Sequence, residues 1–205
     1  MAKIKPLIAS IFGLALMGCG QTPASVDEKP VELESDTKVL LTYFSRADEN
    51  YNVGYVDKGN TEWLADFIGE KVNPSKTFKI ERVTPYPAAY NECTEEAKKE
   101  QNENARPQIK GSVDDFASYD VIFLGYPIWW SDLPMPVYTF IEGQSWNNKT
   151  VIPFSTHEGS GWGVSLDALA NKLSGATIKK GYNCRGALAK NKQSEVNSWL
   201  GGLGF

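Results

Sequence analysis

Lys38-Val39-Leu40-Leu41-Thr42-Tyr43-Phe44 is a short, nearly continuous apolar run. Such a run suits a parallel strand covered on both faces. The chain beyond it alternates between helix-like and strand-like stretches. Residues 61–72 place Leu64, Ala65, Phe67 and Ile68 at helical spacing. Residues 77–83 alternate and read as a strand nearer the sheet edge. Residues 90–104, rich in Glu, Lys and Ala, read as a solvated helix. Asp120-Val121-Ile122-Phe123-Leu124-Gly125 is the next buried strand. Residues 136–142 form a short helix with proline near its start, where proline is tolerated. A strand over 150–155, a helix over 164–173, a strand over 177–182 and a helix over 194–200 complete the chain. Regular alternation predicts a parallel sheet with helices on both faces and right-handed crossovers. Five strands and five helices fit a doubly wound α/β sheet, whose ligands sit beyond the carboxyl ends of the strands where the strand order reverses.

Upstream of Lys38 the pattern stops. Lys3 and Lys5 open the chain, an apolar run spans residues 7–17, and Leu16-Met17-Gly18-Cys19 comes at its end. That order matches a bacterial export signal. The ending resembles the lipobox of bacterial lipoproteins, which implies cleavage before Cys19 and lipidation of that residue. A transmembrane span needs about 20 apolar residues, more than this run supplies; an ordinary soluble secreted protein is the other alternative. By the same resemblance, Gly20 in place of aspartate points to the outer membrane in a Gram-negative host. Residues 1–18 are thus read as a lipoprotein signal peptide, 19–37 as a polar, flexible tether, and 38–205 as one compact domain. The expected location is outside the cytoplasm, lipid-anchored to the bacterial membrane on its periplasmic or outer-membrane face.

The formal charge is -4, and it becomes -6 once Lys3 and Lys5 leave with the signal. With no Lys/Arg cluster, nucleic acid is excluded as a partner. Cys93 and Cys184 remain after lipidation takes Cys19. Thiols outside the cytoplasm can pair, but spacing leaves the pairing open against two separate, partly buried thiols. His157 is the only histidine and no CxxC occurs, which argues against a transition-metal site.

Three loops fall at the expected ligand end. After the first strand come Ser45 and Arg46, then a polar segment, then Gly59-Asn60-Thr61 opening a helix. A helix start offers unpaired N–H groups and the positive end of a dipole, which can hold a phosphate without lysines. Plain helix capping by Asn60 or Thr61 is the competing reading. After the third strand comes Gly125-Tyr126-Pro127-Ile128-Trp129-Trp130 in a proline-rich loop. A flat ring at a loop tip can stack on another, although one of the two tryptophans is expected to pack beneath the loop. After the fourth strand, Ser155 to Gly163 is rich in glycine and hydroxyls. It suits either the polar edge of a ring system or a simple connector.

Together, Tyr43-Phe44-Ser45-Arg46, Gly59-Asn60-Thr61, Gly125-Tyr126-Pro127-Ile128-Trp129-Trp130 and the stretch from Ser155-Thr156 to Gly161 resemble the bacterial flavodoxin-like family. The resemblance runs from about Lys38 to the C-terminus. It implies a flavodoxin-like sheet of five parallel strands in order 2-1-3-4-5 and noncovalent flavin mononucleotide (FMN). Carried over, Ser45, Arg46, Asn60 and Thr61 hold the phosphate. Pro127, Ile128 and Trp129 line one side of the isoalloxazine, with Trp130 less firmly placed. Thr156, His157, Gly159 and Gly161 run along the other edge. His157 either donates to the flavin or only shapes its loop. Residues 47–58 depart from the ordinary flavodoxin pattern as an insert that lies over the cofactor or meets a partner.

The expected function is electron transfer by an FMN-binding redox protein. One alternative is an FMN-dependent NAD(P)H:quinone-type reductase, and another is a non-redox binding module with a degenerate flavin site. The expected partner is a redox protein or a small quinone-like acceptor, with the membrane reached through the lipid anchor.

Overall fold

The computed structural model describes residues 26–205. The stretch read as a signal peptide and the Cys19 expected to carry a lipid lie outside them. The first apolar run forms β1 (Val39–Phe44), buried at every position. Two short strands, β2 (Asp48–Asn50) and β3 (Gly54–Val56), pair antiparallel as a hairpin inside the insert. After the hairpin come α1 (Asn60–Val72), β4 (Lys76–Ile80), α2 (Tyr90–Asn102), β5 (Val121–Pro127), α3 (Met135–Glu142), β6 (Thr150–His157), α4 (Ser165–Lys172), β7 (Thr177–Ile178), β8 (Tyr182–Arg185) and α5 (Gln193–Leu203).

The main sheet runs β4-β1-β5-β6-β7, and β8 also pairs with β6. All its pairings are parallel. This is the expected 2-1-3-4-5 order, with the fifth position shared by two short strands. The expected single strand over 177–182 is broken at Gly181, whose missing side chain admits Pro153 O: a Cβ there would sit 2.5 Å from it.

Alternation within each strand separates two cores. Leu40 and Phe44 of β1 join Ile122, Leu124 and Tyr126 of β5 beneath α2, α3 and α4. Val39, Leu41 and Tyr43 join Val121, Phe123 and Phe154 beneath α1 and α5. Each fully buried Leu, Ile or Phe contributes about 1.5–3 kcal/mol. Cys93 belongs to the first core and Cys184 to the second, and both are free thiols.

The segment expected to be a tether is attached to the domain from Val26 onward. Asp27 donates its N–H to Ile178 O (2.9 Å) and accepts from Lys180 N (3.0 Å). Its carboxylate lies 2.6 Å from Lys179 Nζ. Val31, buried, donates to Leu203 O at 2.8 Å. The polar composition conceals a stretch that extends the sheet edge at its amino end.

Candidate functional site

The chain leaves β1 for one side of the sheet and returns at β5 on the other, so the two loops diverge at their carboxyl ends. A cleft of about 430 Å³ opens there. One end is built from hydroxyls. Ser45 Oγ accepts from Glu62 N at 3.1 Å and so caps α1 from a distance. Gly59 permits this approach, since a Cβ on it would lie 2.3 Å from Ser45 Oγ and 2.4 Å from Arg46 O. Thr61 Oγ1 and Thr156 Oγ1 meet at 2.8 Å, both buried, tying the start of α1 to the end of β6.

Donors remain over at this end. The hydroxyl hydrogen of Ser45 is not used by its capping bond, and one of the paired threonines keeps its own. The first N–H groups of α1 precede its intrahelical bonds. Arg46 spends Nη1 on Glu49 O and Nη2 on Pro87 O and Ala88 O. Its Nε is buried without a hydrogen-bond partner among the described residues. The first-turn carboxylate, Glu62, is engaged by Lys79 Nζ at 2.8 Å and Tyr43 OH at 3.4 Å. An anion at this end would meet donors and a positive dipole.

The other end is aromatic. Trp129 and Asp132 exchange backbone hydrogen bonds of 2.9 and 3.0 Å, closing a two-residue turn at Trp130 and Ser131. Both turn residues have positive φ, +50° and +64°, where glycine and asparagine are the usual occupants. The turn sends the two tryptophans apart. Trp129 goes inward, edge-on to Phe44 at 5.4 Å and to Tyr86 at 5.1 Å. Trp130 stays 49% exposed and leans on α2, with Nε1 donating to Thr94 O at 3.1 Å. Across from it, the insert hairpin carries Tyr51 over Tyr90, ring centroids 5.8 Å apart. The hairpin tip is tied to the third loop, Asn52 Nδ2 donating to Glu158 Oε2 at 3.0 Å. Glu158 Oε1 accepts from Ala187 N at 2.9 Å.

The profile of the flavodoxin family matches residues 38–202. The chain belongs to the flavodoxin family. Among solved structures, a protein from Bacteroides eggerthii assigned as a flavoprotein shares 31% identity with it over 82% of this chain and 99% of that one, with a TM-score of 0.66. A flavoprotein from Lactobacillus acidophilus, solved in complex with FMN, is 18% identical over 80% and 98% of the two chains, TM-score 0.56. Oxidised flavodoxin 2 from Bacillus cereus is 17% identical over 82% and 98%, TM-score 0.50. No curated protein matches.

In this flavodoxin-family chain, Ser45, Arg46, Asn60, Thr61, Pro127, Ile128, Trp129, Thr156 and His157 all line the one cleft. Gly159 and Gly161 do not. Beyond His157 the third loop turns away toward the Trp130-Ser131 turn, where Val164 N donates to Ser131 O at 2.8 Å. Gly163 makes that contact possible, with φ +54° and only 2.1 Å between a built Cβ and Ser131 O. Gly159 acts on the site indirectly: its N–H donates to His157 Nδ1 at 3.0 Å, which leaves the ring proton on Nε2. Burial, with Arg185 nearby, lowers the histidine pKa from its usual 6.5.

Sequence reasoning missed Tyr90, Cys93, Thr94, Ala97 and Gly186 in the cleft wall, whereas Asn50 and Tyr51 come from the insert expected over the cofactor or at a partner and Glu158 from the third loop. A signal exists for four of them. Tyr90, Cys93, Thr94 and Ala97 keep helical spacing on one face of an otherwise charged helix.

Proposed function

We propose that this protein holds FMN in the cleft and transfers electrons through it, as an exported protein carried on a lipidated Cys19. The supporting observation is the union, in one cleft, of a hydroxyl-lined helix start with spare donors and an aromatic wall. Bound there, FMN supplies reversible uptake of one or two electrons. Ser45, Asn60, Thr61 and Thr156 would hold its phosphate, joined by the unpartnered Nε of Arg46. Pro127, Ile128 and Trp129 would flank the ring, with the Nε2–H of His157 as a donor to its polar edge. The FMN-bound relative from Lactobacillus acidophilus supports the choice of cofactor.

Titration of the apo-protein with FMN, followed by the visible spectrum and by tryptophan fluorescence, tests the reading. Saturable binding is expected. Thr61→Val should weaken it about tenfold, the worth of one hydrogen bond to a charged group, and should also lower the melting temperature, because Thr156 Oγ1 loses its buried partner. Absence of saturable binding at millimolar FMN overturns the proposal. For the anchor, Cys19→Ala should move the protein from the membrane fraction to the soluble one.

A further inference from the structure

Behind the Trp129 wall, a core position carries a carboxylate. Cys93, Ala97 and Glu100 form the buried face of α2 at helical spacing. Glu100 is only 8% exposed. Burying a carboxylate there costs free energy that an apolar side chain would not. Core stability alone therefore does not call for Glu100, and its partners show what it holds.

Glu100 Oε2 accepts from the Tyr86 hydroxyl, and Oε1 lies 3.3 Å from Arg82 Nη2. Burial and this carboxylate raise the Tyr86 pKa far above its ordinary range, so the phenol is the donor. Arg82 Nη1 bonds Glu96 Oε1 at 2.7 Å, and the guanidinium sits 4.0 Å over the Tyr86 ring. The two contacts divide the task. The hydroxyl bond fixes the axis of the ring, along which the hydroxyl lies. The guanidinium over the face restricts rotation about that axis, a torsion that is broad on its own. The backbone is held on both sides of Tyr86. Val83 N donates to Gln108 O at 2.9 Å, and Pro87 O and Ala88 O accept from Arg46.

Tyr86 passes this order on. Its ring meets Trp129 with 5.1 Å between centroids and 72° between planes, and Phe44 meets Trp129 at 5.4 Å and 88°. A Tyr86 ring free to move would leave Trp129 held on the Phe44 side alone. Trp129 lines the cleft, whereas Tyr86, Arg82 and Glu100 do not.

We propose that Glu100 is a positioning residue for the flavin site, acting with Arg82 through Tyr86 to set the plane of the Trp129 ring. The assignment rests on the FMN reading above.

The test incorporates fluorotryptophan, assigns the Trp129 signal by its loss in Trp129→Phe, and follows it by fluorine NMR in the apo-protein. Trp146 is the internal control, since it is buried in the same core against Phe116 and Phe140. Tyr86→Phe and Glu100→Ala should each shift or broaden the Trp129 signal and leave that of Trp146 in place. Both should weaken FMN binding about fivefold, within the range of one hydrogen bond. Glu100→Gln keeps an acceptor for the Tyr86 hydroxyl and leaves Arg82 its bond to Glu96, so it should restore most of both losses. A Trp129 signal unmoved in both Tyr86→Phe and Glu100→Ala overturns the proposal. So does a Trp146 signal that moves with it, because Glu100 then only supports the core. A displaced Trp129 signal with unchanged FMN affinity overturns the link to the cofactor. Should wild-type protein fail to bind FMN, the cofactor reading falls, and the apo-protein signals still decide whether Glu100 positions Trp129.

Discussion

Trp130 and Ser131 adopt left-handed backbone conformations, which cost an L-residue about 1–2 kcal/mol each. The turn persists because its surroundings hold it. Gln101 Nε2 donates to Trp130 O at 3.2 Å, and Tyr138 OH donates to Asp132 Oδ2 at 2.9 Å. The strain keeps Trp130 at the exposed side of the cleft and Trp129 on its inner side, packed against the core. Ser131→Gly removes the steric cost while adding unfolded-chain entropy, a net gain of about 0.5–1 kcal/mol. Calorimetry should show a melting temperature about 1–4 °C higher, and a lower one would show the turn to be unstrained. His157 allows an equally local test. As the chain's only histidine, it gives one titrating imidazole signal. Its folded pKa lies below the unfolded 6.5, so the folded state resists protonation, and stability falls as pH drops through 6.5 toward the folded value. An NMR titration should give a midpoint under 6.5 with the neutral ring protonated at Nε2. A midpoint above 6.5 would contradict the burial that sets the shift.

At the level of elements, the insert hairpin of β2 and β3 behaves as a strap. Its base is fixed by Arg46 and by Glu49, whose carboxylate accepts from Tyr90 N at 2.8 Å and whose N–H donates to Ala88 O at 3.2 Å. Its tip is held across the cleft by the Asn52–Glu158 bond alone among the side-chain hydrogen bonds of the described residues. Asn52→Ala should therefore loosen the tip, not the base. Loss of one exposed hydrogen bond, about 0.5–1 kcal/mol, predicts FMN release about two- to fivefold faster in stopped-flow displacement, with the melting temperature somewhat lowered because alanine fits the +64° φ at this position less well than asparagine. An unaltered release rate would mean the strap does not gate the cofactor. The strap is invisible in the sequence as a hairpin. Asp48-Glu49-Asn50 and Gly54-Tyr55-Val56 lack the apolar alternation that marks strands, and their pairing is fixed by contacts to distant loops. Arg46 is carried over as a phosphate ligand from the family resemblance, yet two of its nitrogens serve the strap and the loop before α2. The strands β1, β5 and β6, by contrast, are readable because both of their faces are covered, which leaves apolar residues at nearly every position.

Over the whole molecule, the N-terminal segment and the cleft lie at opposite ends of the sheet. Asp27 bridges Lys179 just beyond the rung where Ile178 meets Val151, at the amino end of β6. The cleft is lined by Thr156 and His157 at the carboxyl end of the same strand, about 16 Å further along it. Composition could not reveal this, since residues 26–37 read as linker and owe their order to Lys179 and the α5 terminus. The geometry bears on the export proposal. With a lipid on Cys19, the seven residues to Val26 span at most about 25 Å, so the sheet edge that receives them is held close to the bilayer. The cleft then opens toward the aqueous side, within reach of a water-soluble acceptor and out of reach of one confined to the lipid. Dithionite-reduced, FMN-loaded lipoprotein on liposomes should be reoxidised by menadione at nearly the rate of the unanchored Cys19→Ala protein in solution. A quinone with a long isoprenoid tail, dissolved in the same liposomes, should reoxidise it many times more slowly. Equal rates with the two quinones would mean that the domain tips over on its tether to bring the cleft to the membrane, and the orientation drawn from the Asp27–Lys179 pairing would be wrong.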